Sequence, residues 1–187
     1  MELEQVVGDI AAALMSIDRC GVPFKQFQSG VGPYGEPQLL AAVARHLNTL
    51  AAYERSARTK RTPDLLIPAH WALEFKIARP FGDNGREAEN WSVNLLHPYE
   101  GNVSLIGDCL KLQQLSSAEP KGVVVVGYEH TPPKIPLAPL IDAFELVATK
   151  VAGVRLGPRV QVVQSGLCHP VHQQLLVAAW EVLSCSG

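Results

Sequence analysis

Apolar residues recur along this chain with two periods, and the alternation between them divides it into helices and strands. From Glu4 to Ile17 the apolar positions Val6, Val7, Ile10, Ala13, Leu14 and Ile17 fall on one helical face, and Cys20-Gly21-Val22-Pro23 ends the run. A glycine-rich stretch from Ser29 to Gly35 leads to a second amphipathic helix carrying Leu39, Leu40, Val43, Ala44, Leu47 and Leu50. Pro37 is expected at its first helical position, where a missing N–H goes unnoticed. The period then shortens. Leu65 to Ile67 and Trp71 to Ile77 are short apolar runs that read as neighbouring strands. Because strand side chains alternate between faces, Trp71, Leu73, Phe75 and Ile77 share one side. Ala72, Glu74, Lys76 and Ala78 share the other.

Further along, a helix is expected from Asn102, with Val103, Ile106 and Leu110 on one stripe, closed by Pro120-Lys121-Gly122. Val123 to Tyr128 is a continuous β-branched run, the pattern of a strand covered on both faces. Thr131 to Pro139 holds four prolines and predicts an extended linker. Leu140 to Val151 reads as a helix, Val160 to Val163 as a strand, and Pro170 to Leu183 as a last helix with Val171, Leu175, Ala178, Ala179 and Val182 inward. Trp91 to Tyr99 fits neither period, and no strand of ordinary length is legible between Tyr53 and Arg61. Helices that follow strands predict an α/β sandwich, a central mixed sheet flanked by helices.

Composition narrows the class. With 187 residues the chain is expected to form one domain with a sizeable core. A hydrophobic content of 47% and a charged content of 18% exclude disorder and coiled coil. The apolar runs are too short for a membrane span, and Met1-Glu2-Leu3-Glu4 has the wrong charge for a signal peptide, so a cytoplasmic protein with no membrane partner is expected. The four cysteines, Cys20, Cys109, Cys168 and Cys185, form no Cys-x-x-Cys pair and read as free, mostly buried thiols. A formal net charge of −2 means that any nucleic-acid surface must be local.

Candidate chemistry concentrates between Arg61 and Pro80. Asp64 and Glu74, on neighbouring strands, can share a divalent cation, because hard oxygen ligands suit Mg²⁺, with Mn²⁺ as a substitute. The carbonyl of Phe75 is a further candidate ligand. Lys76 lies on the same face as Glu74, beside such an ion and the water it would activate. Glu36 stands at the mouth of the second helix, where a carboxylate also complements the helix dipole. Arg55, Arg58, Lys60 and Arg61 form a basic run directly before Asp64, either a solvated turn or a contact to phosphates. The polar segment Phe81 to Asn90 reads as a surface loop. Elsewhere, Cys168-His169-Pro170-Val171-His172 is a zinc half-site without a partner pair. Glu129 and His130 end the central strand where they either line a cleft or cap the surface, and His97 reads as a loop histidine. No serine nucleophile elbow is present.

Pro63-Asp64, nine intervening residues, then Glu74-Phe75-Lys76 resembles the motif of the PD-(D/E)xK nuclease superfamily. The resemblance implies a restriction-endonuclease-like fold over about residues 30 to 130, with the remainder a C-terminal α/β extension. It also implies a Mg²⁺-dependent endonuclease acting on DNA. Asp64 and Glu74 would be the metal ligands, Lys76 the lysine that assists hydrolysis, and Glu36 the further glutamate that many members carry on the first core helix. Members that cut both strands often dimerise, so a homodimer is an expectation. A nuclease-fold DNA-binding or assembly module that no longer cuts is the alternative.

Overall fold

The computed structural model describes residues 1–23, 28–98 and 103–184. In chain order the elements are α1 (Leu3–Arg19), α2 (Glu36–Leu47), β1 (Ala57–Arg58), β2 (Leu65–Ile67), β3 (Trp71–Ala78), α3 (Val93–Leu96), α4 (Leu105–Gln114), β4 (Lys121–Glu129), α5 (Ala138–Lys150), β5 (Arg155–Leu156), β6 (Val160–Ser165) and β7 (Gln174–Leu183). A 3₁₀ turn at Ala51–Tyr53 separates α2 from β1.

The strands form one open mixed sheet of seven, in the order β1-β2-β3-β4-β7-β5, with β6 also paired to β7. Among the described strands only β3 and β4 run parallel, and their crossover carries α3 and α4. All other pairings are antiparallel. Helices cover both faces. On one, Val6, Ile10 and Leu14 of α1 and Leu39, Val43 and Leu47 of α2 pack with Leu73, Phe75, Val124 and Val126. On the other, Ile106 and Cys109 of α4 and Phe144 and Ala148 of α5 pack with Val123, Val125, Ala178 and Trp180. The valines of β4 thus alternate between two cores, which is why the run shows no polar position.

The predicted last helix is a strand. β7 sits between β4 and the outer strands, with Leu175, Val177 and Ala179 in the first core and Leu176, Ala178, Trp180 and Val182 in the second. A strand buried on both faces is apolar at nearly every position, so any subset can be picked out at helical spacing. The segment beyond residue 131 therefore adds strands to the same sheet. The strand sought between Tyr53 and Arg61 exists, but β1 is only two residues long, too short for a pattern.

Other boundaries moved slightly. Glu36, not Pro37, is the first residue of α2, following Gly35 as N-cap. Ser104 caps α4, its hydroxyl accepting the Gly107 N–H at 3.0 Å. The expected start at Asn102 lies outside the described residues, as does Tyr99. The short α3 occupies part of the stretch that fitted neither period. Glu129 is buried, and its Oε1 accepts the Leu137 N–H at 2.6 Å, tying the start of α5 to the end of β4. The expectation of mostly buried cysteines is corrected: Cys109 is buried, Cys20 and Cys168 are exposed, and Cys185 lies outside the described residues. Among the described residues no helix is long and apolar enough to cross a membrane.

Candidate active site

The candidate residues meet where β2 leaves β3. The two strands pair only from Ile67↔Trp71 to Leu65↔Leu73, so β3 continues past its neighbour with a bare edge. Asp64, just before β2, takes the place of the missing backbone partner: its Oδ2 accepts the Phe75 N–H at 2.9 Å. The Phe75 carbonyl instead accepts from Lys76 Nζ at 3.2 Å. Asp64 and Thr62 lie close enough to the Glu74 carboxyl to act on its proton affinity, Asp64 raising it and Thr62 lowering it. The fork therefore brings the Asp64 carboxylate to the Phe75 N–H and the Lys76 ammonium to the Phe75 carbonyl, with Glu74 next in the strand.

As the alternation predicts, Trp71, Leu73, Phe75 and Ile77 join the core under α1 and α2. Glu74 and Lys76 face the side covered by α4. There a residue that sequence reasoning missed completes the group. Asp108, 1% exposed, places Oδ2 2.8 Å from Lys76 Nζ and Oδ1 2.8 Å from Lys111 Nζ. Both contacts are close ion pairs, and the one with Lys111 is also a well-formed hydrogen bond. Glu36, at the first turn of α2, lies 3.6 Å from Lys76 Nζ through Oε1. Asp108 and Lys111 look in the sequence like an ordinary i,i+3 helix pair. Only the packing of α4 on β3 reveals that Asp108 is buried against Lys76, with Lys111 left partly exposed.

Four carboxylates, Glu36, Asp64, Glu74 and Asp108, thus meet two ammonium groups, Lys76 and Lys111. The excess of acid shows in proton affinities. Glu74 is pushed up to about 8, first by burial and then by the charges of Asp64 and Asp108. Glu36 is also raised by burial, with Lys76 opposing and Asp64 and Asp108 adding to the rise. For Lys76, burial disfavours the charge, but Asp108 and Glu36 outweigh it and hold the ammonium above its ordinary range. Lys76 is therefore a fixed cation near neutral pH, not a base.

The basic run does not enter this group. Arg55, Arg58, Lys60 and Arg61 are all exposed. Arg58 is in register with Leu65, which sets the run beside Asp64 on the outer edge of the sheet. On the other side of the fork, a cleft of about 390 Å³ follows the bare edge of β3. Glu36 and Ile77 line it together with residues of the loop after β3 and of the α3 region. That loop is held by backbone hydrogen bonds from Gly82 N–H to the Arg86 carbonyl (2.8 Å) and from Ala88 N–H to the Pro80 carbonyl (2.9 Å).

Among the described residues the histidine segment does not belong to a metal-holding group of three or more side chains. His169 and His172 are each 1% exposed and stack with ring centroids 4.6 Å apart. No helix starts at Pro170, contrary to expectation. His169 Nδ1 accepts the N–H groups of Val171 and His172, both at 3.2 Å, and His172 Nε2 donates to the Phe81 carbonyl at 2.9 Å. The Cys168 N–H donates to Asp18 Oδ2 at 2.7 Å, so this segment ties β7 to the end of α1. His130 packs edge-on against Phe81, with centroids 4.7 Å apart.

Among the described residues no three His, Cys, Asp or Glu side chains group as a metal-holding set. The fork does suit an ion that takes one or two carboxylates and keeps its waters, which is the habit of Mg²⁺. Two carboxylates within reach of each other, one of them retaining its proton to about 8, hold that proton where a cation would otherwise neutralise them. No family model matches the chain, and it matches neither a curated protein nor a solved structure.

Proposed function

We propose that this protein is a metal-dependent phosphodiesterase that hydrolyses DNA, built on a restriction-endonuclease-like sandwich. The observation that carries the reading is the fork. Asp64 accepts the Phe75 N–H, the Lys76 ammonium donates to the Phe75 carbonyl, and Asp64 is close enough to Glu74 to raise its proton affinity. Asp64, Glu74 and the Phe75 carbonyl would hold Mg²⁺ or Mn²⁺. Bound there, the ion would supply Lewis-acid activation of water and of the phosphoryl oxygens.

The chain's own groups divide the remaining work. Lys76, clamped by Asp108 and Glu36, presents a permanent positive charge to the scissile phosphate and stabilises the negative charge that builds as water oxygen bonds to phosphorus. Being protonated, it orients the water without taking its proton. Glu36, with its proton affinity raised by burial, is the carboxylate suited to receive that proton. The ester P–O bond then breaks, and the departing oxygen is protonated from solvent. Arg55, Arg58, Lys60 and Arg61, exposed beside Asp64, would hold flanking phosphates. Cutting both strands of a duplex needs two such sites, which a homodimer would provide.

Incubating the purified protein with plasmid DNA and Mg²⁺ or Mn²⁺ tests the proposal. Wild type should nick or linearise the plasmid, and Asp64→Ala and Lys76→Ala should lower the rate by about 10²-fold or more while keeping a folded circular dichroism spectrum. Cleavage by wild type no greater than by these variants would leave only the non-cutting binding module.

A further inference from the structure

The fork has two unlike flanks, and the inference that follows rests on the nuclease reading above. One flank is the exposed basic run next to Asp64. The other is the cleft along the bare edge of β3, whose character is opposite. Its ionisable lining is Glu36, Asp83 and Glu89 against the single guanidinium of Arg79, and its aromatic lining is Phe81 and Trp91. Arg79 is already engaged, donating from Nη1 to the Gly32 carbonyl at 2.6 Å. Glu36 is paired with Lys76 Nζ at 3.6 Å, and the remaining Asp83 and Glu89 outnumber Arg79, so the cleft favours a neutral group over a phosphate. The same carboxylates accept hydrogen bonds from the amino and imino groups of a nucleobase edge. An indole and a phenyl ring add the apolar surface on which bases stack.

Size points the same way. A volume of about 390 Å³ lies near the lower end of the ~300–1,000 Å³ range of small-ligand clefts, room for one nucleoside. Glu36 belongs to both places: it lines the cleft and stands 3.6 Å from Lys76 Nζ. A strand lying across the fork would have its upstream or downstream phosphates on the basic run and its reacting phosphate at Lys76. A neighbouring base would meet the acidic, aromatic-lined cleft.

We propose that this cleft receives one unpaired nucleobase adjacent to the scissile phosphodiester, so that the substrate is a DNA strand carrying an unpaired nucleotide: single-stranded DNA, a flap, a gap or a mismatch. A base held in a duplex must leave its stack and its partner to enter, whereas an unpaired base enters with little penalty. Discrimination against intact duplex follows from that difference.

The test measures binding without turnover. Fluorescence anisotropy of a labelled single-stranded oligonucleotide and of a hairpin duplex of the same sequence would be recorded with Ca²⁺ in place of Mg²⁺. Single strand should bind at least tenfold more tightly than duplex, and Trp91→Ala should erase about tenfold of that affinity. Trp91 also packs against the second core, so a second variant guards against misfolding: Asn94→Trp, at an exposed position on the cleft lining, should block single-strand binding to a similar degree. Equal affinity for the two forms, or single-strand affinity that neither variant changes, overturns the proposal. Trp91-dependent single-strand binding without any DNA cleavage would support the cleft and sink the nuclease. Duplex cleavage to which Trp91→Ala and Asn94→Trp are both indifferent would do the reverse.

Discussion

Two clusters of buried polar side chains invite comparison, because the same residue types are treated in opposite ways. At Asp18 the backbone answers the carboxylate. Asp18 is 0% exposed, and its two oxygens accept the N–H groups of Val31 (3.0 Å) and Cys168 (2.7 Å). Its histidine neighbours are kept neutral by burial, His172 down to about 4. At the fork, the carboxylates are answered mainly by other side chains, and acid exceeds base. Backbone donors are spent on closing the fold; an unbalanced set of side chains shifts the proton affinities of its own members instead. The first cluster joins α1, the glycine-rich loop and β7 into one body. The second keeps a negative field beside a fixed lysine.

Substitutions should separate the clusters sharply. The largest effect is expected at the fork. Glu74→Gln should lower metal-dependent cleavage by about 10²–10³-fold, as loss of a transition-state contact does, while leaving the protein folded. Its stability should even improve at high pH. Glu74 has a raised pKa in the folded state, so its contribution is present below about 4.5 and lost as pH rises through about 8. Thermal melts at pH 9 should show Glu74→Gln more stable than wild type by about 1–3 kcal/mol. A less stable variant would mean that Glu74 serves the fold.

Asp18→Ala should do the converse. It strands the buried Val31 N–H, at about 1–3 kcal/mol, and frees the part-buried Cys168 N–H at a smaller cost, so urea unfolding should show a loss of about 1–4 kcal/mol. Cleavage per folded molecule should hold. A selective loss of cleavage would place Asp18 in the site and dissolve the contrast.

The histidines give a smaller, pH-dependent effect. His172 has a depressed pKa, so its contribution is fully present above about 6.5 and lost as pH falls towards about 4. Across that window wild type should lose on the order of 3 kcal/mol through this group, and His172→Gln should flatten the limb. Smallest of all, Arg58→Ala and Arg61→Ala should leave melts unchanged. Each should reduce the slope of log affinity for DNA against log salt by about 1 if its side chain meets a phosphate. Unchanged slopes would make the run a solvated turn.

How much of this was legible in the sequence depends on where the restraint lies. Alternation along Trp71 to Ala78 was enough to put Glu74 and Lys76 on one side, because strand period is a local property. The position of Asp64 followed from its place before the preceding strand. Asp108 was hidden: its chain neighbours describe an ordinary helix turn, and only the burial of α4 against β3 brings it within 2.8 Å of Lys76. β7 was misread for a related reason. Burial on both faces removes the polar positions that would reveal period two. The glycine-rich loop was read as an entry to α2, yet it has a longer-range task. A side chain at Gly32 would collide with the His172 ring, and Gly30, at φ +99°, turns where a Cβ would strike the Asp18 carboxylate. The contact from Gly32 reaches more than a hundred residues along the chain to His172, and no local pattern encodes it.

The central claim is that the forked carboxylates hold a divalent ion that the rest of the molecule does not. Titrating Mn²⁺ and following free ion by electron paramagnetic resonance, at pH 8 where Glu74 is giving up its proton, reads this directly. Wild type should show saturable binding that weakens at least tenfold in Asp64→Ala and in Glu74→Gln and persists in Asp18→Ala. Binding that is absent from wild type, or equal in all four proteins, would contradict it.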